Sequence, residues 1–505
     1  MGRQARQFPA RPFTNASDSC VFRLGSETII TSTQASHLMR TVLAVTCVSL
    51  VALSSGPART AEPVPTSLRP VSRPAPAAPA PAPSEARVIA ALAVKALAPQ
   101  PATAPMRTLR PRIRPAVLVT AAPDSAETIQ EANPAGFTAW IGAFRSRALA
   151  QGIDAATFDR TFARVRYLPD VIRLDRKQSE FTKTTGEYLA SAVSDTRVET
   201  GREKAQAQGA TLRAIEARYG VDRNVVAAVW GMETNYGGYR GRTHIPSALA
   251  TLAYDGRRGA FFEKQLIAAL RILQNGDTTP ENMVGSWAGA MGHTQFMPTS
   301  YAAYAVDFTG DGRRDIWAGD PTDALASTAA YLSRMGWQRG MPWGAEVTLP
   351  AGFDFTHASG PKKLPSDWAR LGVRPAAGGT LADHGPARLL LPAGARGVAF
   401  LVFKNFDVIK RYNNSDAYAL GVGHLGDRIG GAGPLRGGWP DGERALKRAE
   451  RQELQSLLTR AGYSTGGIDG KIGPNTVRAI RGYQQRVGMA PDGHPSVALL
   501  TRLRR

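Results

Sequence analysis

Hydrophobic residues recur at intervals of three and four from about residue 134 to about residue 340. The clearest stripes are those of Phe137, Trp140, Ile141 and Phe144 and of Phe158, Phe162, Val165 and Tyr167. This spacing places the apolar side chains of each stripe on one face of an α-helix. The pattern therefore predicts a mainly helical region within an α+β fold.

The pattern changes between Glu346 and Phe403, where short apolar runs at 346–349 and 398–403 are separated by Pro and Gly. Runs of this length and composition predict a small strand-rich insertion. Helical periodicity then returns at 407–412.

A Gly-rich stretch from Gly421 to Gly442 predicts a break after the helical region. In the unit that follows, Asp469-Gly470 is expected to reverse the chain and Gly473-Pro474 to begin a helix. The predicted division is a domain at 133–430, a Gly-rich linker at 431–445 and a small domain at 446–505.

The N-terminal part has the layout of a secretory signal peptide. Met39 and a basic residue precede an apolar run at 41–53, and small and turn-forming residues follow. The run is too short to span a bilayer, so no transmembrane segment is expected in the mature chain. Cys47 lies inside the run after Thr46, which disfavours a lipid anchor. We expect translation to start at Met39, and 1–56 to hold an N-terminal extension and the signal peptide.

Residues 57–132 are dominated by Pro and Ala, a composition that predicts a disordered linker. The chain of 505 residues has 62 Lys and Arg against 41 Asp and Glu, a formal net charge of +21. This charge indicates an anionic partner, such as nucleic acid, acidic lipid or acidic glycan. Cys20 and Cys47 precede the expected mature start, which excludes a disulfide framework and a cysteine metal site from the folded part.

A helix is predicted around Glu233. Asp222 is a suitable N-cap, and Gly237-Gly238 is expected to end the helix. Val225 and Val229 share a face with Glu233. A carboxyl group in the last turn meets the negative end of the helix dipole and apolar walls, which both favour its protonated form. Such a group suits general acid catalysis near neutral pH. The alternative is a salt bridge to one of the many arginines.

Residues 230–237 resemble the catalytic signature of the MltB-type lytic transglycosylases, and the similarity extends over roughly 133–430. Further blocks in the order typical of that family lie at 180–184, 192–195, 254–262, 286–292, 295–298 and 411–418. The resemblance implies a lysozyme-like catalytic core with a helical N-terminal part and a small strand-rich insertion.

The resemblance assigns Glu233 as the single catalytic acid/base. The substrate-binding residues that it implies are Arg257, Arg258, Ser286, Gln295, Tyr412, Asn413 and Tyr418. Amides, hydroxyls and aromatic faces suit sugar rings, and guanidinium groups suit carboxylates. Three of these residues could have a purely structural role instead. Ser286 could cap a following helix, Tyr412 could belong to the core, and Arg258 could be a surface residue without a ligand.

The implied reaction uses one carboxylate, whereas ordinary glycosidases use two. Glu233 would protonate the glycosidic oxygen at C1 of MurNAc and then accept the proton of its C6 hydroxyl. A 1,6-anhydro ring would form, with the N-acetyl group of the substrate stabilising the anomeric carbon. A hydrolytic muramidase would need a second carboxylate, for which Asp255, Glu263 and Asp307 are the nearest candidates. None of them lies in a motif that the family uses for that role.

The segment 307–317 resembles the first part of an EF-hand calcium loop. The expected ligands are Asp307, Thr309, Asp311, the carbonyl of Arg313 and a later carboxylate, Asp323 or Asp320. Ala318 stands at the position of the usual closing Glu, so a loop that keeps its turn without an ion is an alternative. The chemistry itself is expected to need no cofactor.

Residues 448–503 resemble a peptidoglycan-binding module of three short helices. This module implies peptidoglycan glycan strands as the partner, and tethering to them would raise the local substrate concentration. The export signal implies a periplasmic location. Proteins of cell-wall synthesis or remodelling are expected as further partners. The alternatives are a catalytically inactive cell-wall-binding protein, disfavoured by Glu233, and a basic DNA-binding protein. An export signal and the lack of a nucleic-acid motif argue against nucleic acid as a partner.

Overall fold

The computed structural model of the protein describes residues 134–176 and 183–505. The predicted signal peptide, the predicted linker at 57–132 and most of the 180–184 block lie outside the described residues. Within the described ranges, no helix combines the length and the apolar character needed to cross a membrane.

Helices dominate the chain from 134 to 334, as the hydrophobic pattern predicts. They are α1 (Pro134–Ala150), α2 (Ala155–Phe162), α3 (Pro169–Arg176), α4 (Thr185–Ala192), α5 (Asp195–Ala207), α6 (Gly209–Tyr219), α7 (Arg223–Thr234), α8 (Ile245–Asp255), α9 (Gly259–Gln274), α10 (Pro298–Tyr304) and α11 (Thr322–Arg334). One hydrophobic cluster surrounds α7, and a second surrounds α8 and α9. Tyr412 packs against both clusters.

Two small antiparallel sheets accompany the helices. In the first, β1 (Thr243–His244) pairs with β2 (Val284–Gly285). The strands of the second sheet are β3 (Gly344–Thr348), β4 (Arg374–Pro375), β5 (Arg388–Leu390) and β6 (Ala399–Val402), in the spatial order β4-β3-β6-β5. Its register places Glu346 opposite Phe400. A short helix, α12 (Pro365–Arg370), adds the fully buried Trp368 to the core of this sheet. The predicted strand-rich insertion is therefore present.

Two further helices, α13 (Lys404–Tyr412) and α14 (Asp416–Ile429), follow the second sheet. The prediction that the chain breaks from Gly421 onward is wrong, because Gly421 and Gly423 lie inside α14. These positions need glycine for close packing. A Cβ atom on Gly421 would lie 3.0 Å from Cε of Met232, and one on Gly423 would overlap the ring of Trp343. Glycine here allows α14 to approach its neighbours.

The segment 431–445 lies against the second sheet. The carboxylate of Glu346 accepts hydrogen bonds from the backbone amides of Arg436 (3.0 Å) and Gly437. The amide of Val398 donates to the carbonyl of Gly438 (3.0 Å). Trp439 packs against Gly186 at the start of α4. The Gly-rich composition of this segment thus accompanies an ordered path along the domain surface.

The C-terminal unit has three helices and a hydrophobic core of its own. The helices are α15 (Arg448–Arg460), α16 (Pro474–Arg486) and α17 (Val497–Leu503). Leu454, Leu458, Ile480 and Leu499 are completely buried among them. The carboxylate of Asp492 connects the unit to the rest of the chain by accepting a hydrogen bond from the amide of Ala395 (2.8 Å). The predicted fold class, a mostly helical chain with few strands and a helical C-terminal module, is confirmed.

Candidate active site

Glu233 lies in the last turn of α7, a helix that the core surrounds. The carboxylate of Asp222 accepts a hydrogen bond from the amide of Asn224 (2.7 Å), which confirms the predicted N-cap. The helix ends at Thr234, three residues earlier than Gly237-Gly238 suggests. Asn235 and the residue after it have φ values of 51° and 58°, and this left-handed backbone terminates the helix.

The carboxyl group of Glu233 faces a cluster of tyrosines. The hydroxyl of Tyr418, on α14, donates a hydrogen bond to Oε1 of Glu233 (2.6 Å). Burial raises the pKa of Glu233 to about 7, and the bond from Tyr418 opposes this shift. Burial and then the charge of Glu233 raise the pKa values of Tyr188, Tyr412 and Tyr418. The four side chains therefore share one site.

No other carboxylate, guanidinium or ammonium group in the described ranges shifts the pKa of Glu233. The three candidates for a second catalytic carboxylate have other contacts. Asp255 pairs with Arg176 (2.7 Å), and Glu263 pairs with Arg147 (2.9 Å). Asp307 accepts hydrogen bonds from backbone amides of its own loop. Burial and the hydrogen bond from Tyr418 therefore determine the pKa of Glu233.

The turns between β2 and α10 and the end of α13 supply four of the other expected residues. Oγ of Ser286 accepts a hydrogen bond from the amide of Ala290 (3.0 Å), so this serine closes a turn and does not cap a helix. Gln295 has a φ of 54°, and the Nε2 of its side chain donates to the carbonyl of Gly292 (2.9 Å). Tyr412 donates to the carbonyl of Thr294, and the exposed Asn413 follows it at the end of α13.

Arg257 and Arg258 flank a buried carboxylate that the sequence pattern did not indicate. Both guanidinium groups pair with Asp175, whose side chain is 1% exposed, while their own side chains are 46% and 39% exposed. The Nε of Arg257 lies 2.7 Å from Oδ2 of Asp175. Both arginines therefore keep N–H groups directed to solvent, and Asp175 fixes their position.

Three carboxylates converge at the segment 307–323. Ligand atoms of Asp307, Asp311 and Asp323 lie within 4.8 Å of one another. Asp323 is buried at the start of α11, and its Oδ1 accepts hydrogen bonds from the amides of Phe308 (2.9 Å) and Thr309 (3.1 Å). Asp320, the other candidate, binds the hydroxyl of Thr322 instead (2.7 Å). Oxygen donors of this kind suit Ca²⁺.

The family model described as "Transglycosylase SLT domain" matches residues 136–427, more than half of the chain. The chain belongs to the MltB-type lytic transglycosylases. A second model, "Putative peptidoglycan binding domain", matches residues 447–503. The prediction of a lytic transglycosylase with a C-terminal peptidoglycan-binding module is therefore confirmed.

Individual relatives of this transglycosylase agree with the assignment. Membrane-bound lytic murein transglycosylase B of Escherichia coli (strain K12) is 38% identical over 218 residues, 42% of this chain and 58% of that protein. The structure of SltB3 from Pseudomonas aeruginosa in complex with NAG-anhNAM-pentapeptide is 51% identical, with 73% of this chain and 99% of that chain covered and a TM-score of 0.71. Soluble lytic transglycosylase SltB1 from Pseudomonas aeruginosa is 30% identical, with 57% and 98% covered and a TM-score of 0.51.

Proposed function

We propose that this transglycosylase cleaves the β-1,4 bond between MurNAc and GlcNAc in peptidoglycan and forms 1,6-anhydroMurNAc. The observation that carries the proposal is the carboxyl group of Glu233, whose pKa of about 7 makes it both an acid and a base near neutral pH. Its family, and the saccharides named in the SltB3 structure, support the choice of substrate.

The reaction begins with Glu233 protonated. Its proton passes to the glycosidic oxygen as the bond from C1 of MurNAc to that oxygen breaks, and the GlcNAc leaves as an alcohol. The carbonyl oxygen of the substrate's N-acetyl group stabilises the positive charge at C1. The carboxylate of Glu233 then accepts the proton of the C6 hydroxyl, while the oxygen of that hydroxyl forms a bond to C1. Glu233 ends protonated again, and no water is consumed.

The surroundings of Glu233 favour this route over a hydrolysis with two carboxylates. The carboxyl groups of a pair that flanks a glycosidic bond lie about 5 to 10 Å apart. Within the described residues, Asp255, Glu263 and Asp307 are bound to other groups. The phenol of Tyr418 is the polar group in contact with Glu233, and it stabilises the carboxylate between the two proton transfers.

We further propose that Ser286, Gln295, Tyr412, Asn413 and Tyr418 line the saccharide site, as the family resemblance implies. The hydroxyl of Tyr412 is held by the carbonyl of Thr294, so its ring, more than its hydroxyl, is available to a sugar. The exposed N–H groups of Arg257 and Arg258 would bind a carboxylate of the peptide stem or glycan, with Asp175 holding them in place.

The segment 307–323 would bind a structural Ca²⁺ through Asp307, Asp311 and Asp323, with the hydroxyl of Thr309 and the carbonyl of Arg313 as further ligands. The chemistry itself needs no cofactor. The C-terminal module would bind peptidoglycan strands, and the enzyme would act in the periplasm after export, together with proteins of cell-wall synthesis or remodelling. The motivation is the peptidoglycan-binding family of this module.

Mass spectrometry of the muropeptides released from whole sacculi tests the proposed reaction. Every new MurNAc end should carry the 1,6-anhydro ring, which makes it lighter than a reducing MurNAc end by one water. Reducing MurNAc ends as the main product would show a hydrolytic muramidase. No released muropeptides at all would indicate a binding protein without activity.

A further inference from the structure

A buried histidine, His293, holds the last turn of α7 on both sides of Glu233. The indole N–H of Trp230 donates a hydrogen bond to Nδ1 of His293 (3.1 Å). The hydroxyl of Thr234 donates to the carbonyl oxygen of His293 (2.6 Å). All three residues are at most 4% exposed, so water does not compete for these bonds.

The hydrogen-bond partners of the two ring nitrogens assign the tautomer of His293. Nη1 of Arg240 lies 3.1 Å from Nε2, but its two hydrogens are donated to the carbonyls of Trp317 and Ala318. An indole N–H can only donate, so Nδ1 must be the unprotonated acceptor, and Nε2 carries the hydrogen. Nε2 in turn lies 2.7 Å from the carbonyl oxygen of Ala318. Burial lowers the pKa of His293, which keeps the ring neutral. A protonated ring would repel the donor of Trp230.

The turn after Glu233 packs directly on the imidazole of His293. A Cβ atom at Gly237, which has a φ of 82°, would lie 2.6 Å from Nδ1 and Cε1 of the ring. The amide of Gly237 donates to the hydroxyl oxygen of Thr234 (2.9 Å). The backbone that follows Glu233 therefore cannot shift without displacing His293.

Hydrogen bonds also hold the segment that His293 contacts on the side away from α7. The carboxylate of Asp315 accepts hydrogen bonds from the amides of Trp317 (2.8 Å) and Ala318 (3.0 Å). The amide of Asp315 donates to Oδ2 of Asp323 (3.0 Å). Arg240 also donates to the carbonyl of Ala318 (2.7 Å). A continuous set of hydrogen bonds thus joins the segment 307–323 to the catalytic helix through one imidazole.

We propose that His293 is a positioning residue, which fixes the last turn of α7 and thereby the depth at which the carboxyl group of Glu233 lies. This inference rests on the proposed role of Glu233 in the reaction. The titratable groups that face Glu233 in the described residues are Tyr188, Tyr412 and Tyr418, none of which contacts His293 by a hydrogen bond. A looser last turn would admit water to Glu233 without changing its tyrosine neighbours.

The test compares His293→Asn with His293→Gln. The Asn side-chain oxygen can replace Nδ1 as the acceptor for Trp230, whereas the Gln amide nitrogen can replace Nε2 as the donor to Ala318. For His293→Gln we expect kcat to fall about tenfold to a hundredfold, because a shift of about 1 Å in a catalytic group has this effect. KM should change less than about twofold, since His293 does not contact the substrate. The alkaline limb of kcat/KM should move to lower pH, and His293→Asn should recover most of the loss.

A matched control is His424→Gln, which alters another buried histidine; burial and then the charge of Arg428 lower the pKa of its ring. It should lower the Tm without moving the alkaline limb. An unmoved limb in a folded His293→Gln protein, or equal losses for His293→Asn and His293→Gln, would overturn the positioning role. Full activity of Glu233→Gln would instead overturn the proposed function and leave the structural contacts of His293 intact.

Discussion

Glu233 has the properties that the proposed acid/base role requires. Its backbone belongs to a buried helix, and the carboxyl group contacts the phenol of Tyr418 at 2.6 Å. Burial shifts its pKa to about 7 without help from another charge in the described residues. A small free-energy difference therefore separates the two protonation states at neutral pH.

Replacing Glu233 by Gln should abolish the reaction and preserve the fold. The amide keeps the size of the neutral carboxyl group but has no proton to give. We expect a rate loss at or beyond about ten-thousandfold, because in the proposed mechanism one residue serves both proton transfers. Glycan binding and Tm should remain, as measured by sedimentation with sacculi and by thermal melting. Activity within tenfold of the wild type would contradict the single-carboxylate mechanism.

The pKa of Glu233 also predicts the pH dependence of the reaction. The first step needs the protonated form, so kcat/KM should be constant below pH 7 and fall about tenfold for each pH unit above it. Phe in place of Tyr418 removes the bond that lowers this pKa. The alkaline limb of Tyr418→Phe should accordingly move to higher pH. A limb that moved to lower pH would contradict the assigned cause.

The sequence indicates some residues of the site and not others. Asp222 caps the helix that carries Glu233, so the local sequence is enough to predict both the cap and the buried face. Asp175 pairs with Arg257 across 82 positions, and such a contact leaves no local pattern. The same holds for Tyr188, whose position near Glu233 depends on how α4 packs against α14. Residues that act through tertiary contacts need the structure.

At the scale of elements, the segment 307–323 brings three carboxylates together although its spacing departs from that of the EF-hand loop. The usual closing carboxylate of the loop is absent at Ala318. Asp323, at the start of α11, lies beside Asp307 and Asp311 instead. The third carboxylate of the cluster thus comes from the first turn of a helix and not from the loop. The sequence alone did not decide between Asp320 and Asp323.

Calcium should raise the Tm of the wild-type protein, and Asp311→Ala should remove the increase. A ligand that binds only the folded state at a hundred times its Kd stabilises it by about 2.7 kcal/mol. Asp320→Ala is the matched control, because Asp320 binds Thr322 and lies outside the carboxylate cluster. It should keep the calcium increment. Equal Tm values with calcium and with a chelator would show that the segment does not bind the ion.

At the scale of the whole molecule, the C-terminal module has its own core and a small number of polar contacts with the catalytic part. Leu454, Ile480 and Leu499 belong to a hydrophobic cluster separate from those around α7 and α9. Asp492 connects the module to Ala395. The two parts should therefore fold independently, although the segment 431–445 and the contact of Asp492 connect them.

Removing residues 446–505 should weaken binding to insoluble sacculi and leave the cleavage of short soluble glycans within about twofold, since avidity is lost without a change at the site. Pull-down with sacculi and kinetics on a soluble tetrasaccharide measure the two effects. The full-length protein with Glu233→Gln is the control for binding without turnover. Unfolding of the shortened protein, or an equal loss on both substrates, would contradict the prediction.

The glycines of α14 have a consequence for how the enzyme loses activity on heating. Gly421, Gly423 and Gly426 each weaken an isolated helix by about 1 kcal/mol relative to Ala. On its own, α14 would hardly persist, and its packing on α7 maintains it. The same packing brings the phenol of Tyr418 to Glu233. Heat that separates α14 from α7 should therefore also unfold α14. Activity and helical content should then decline in a single step.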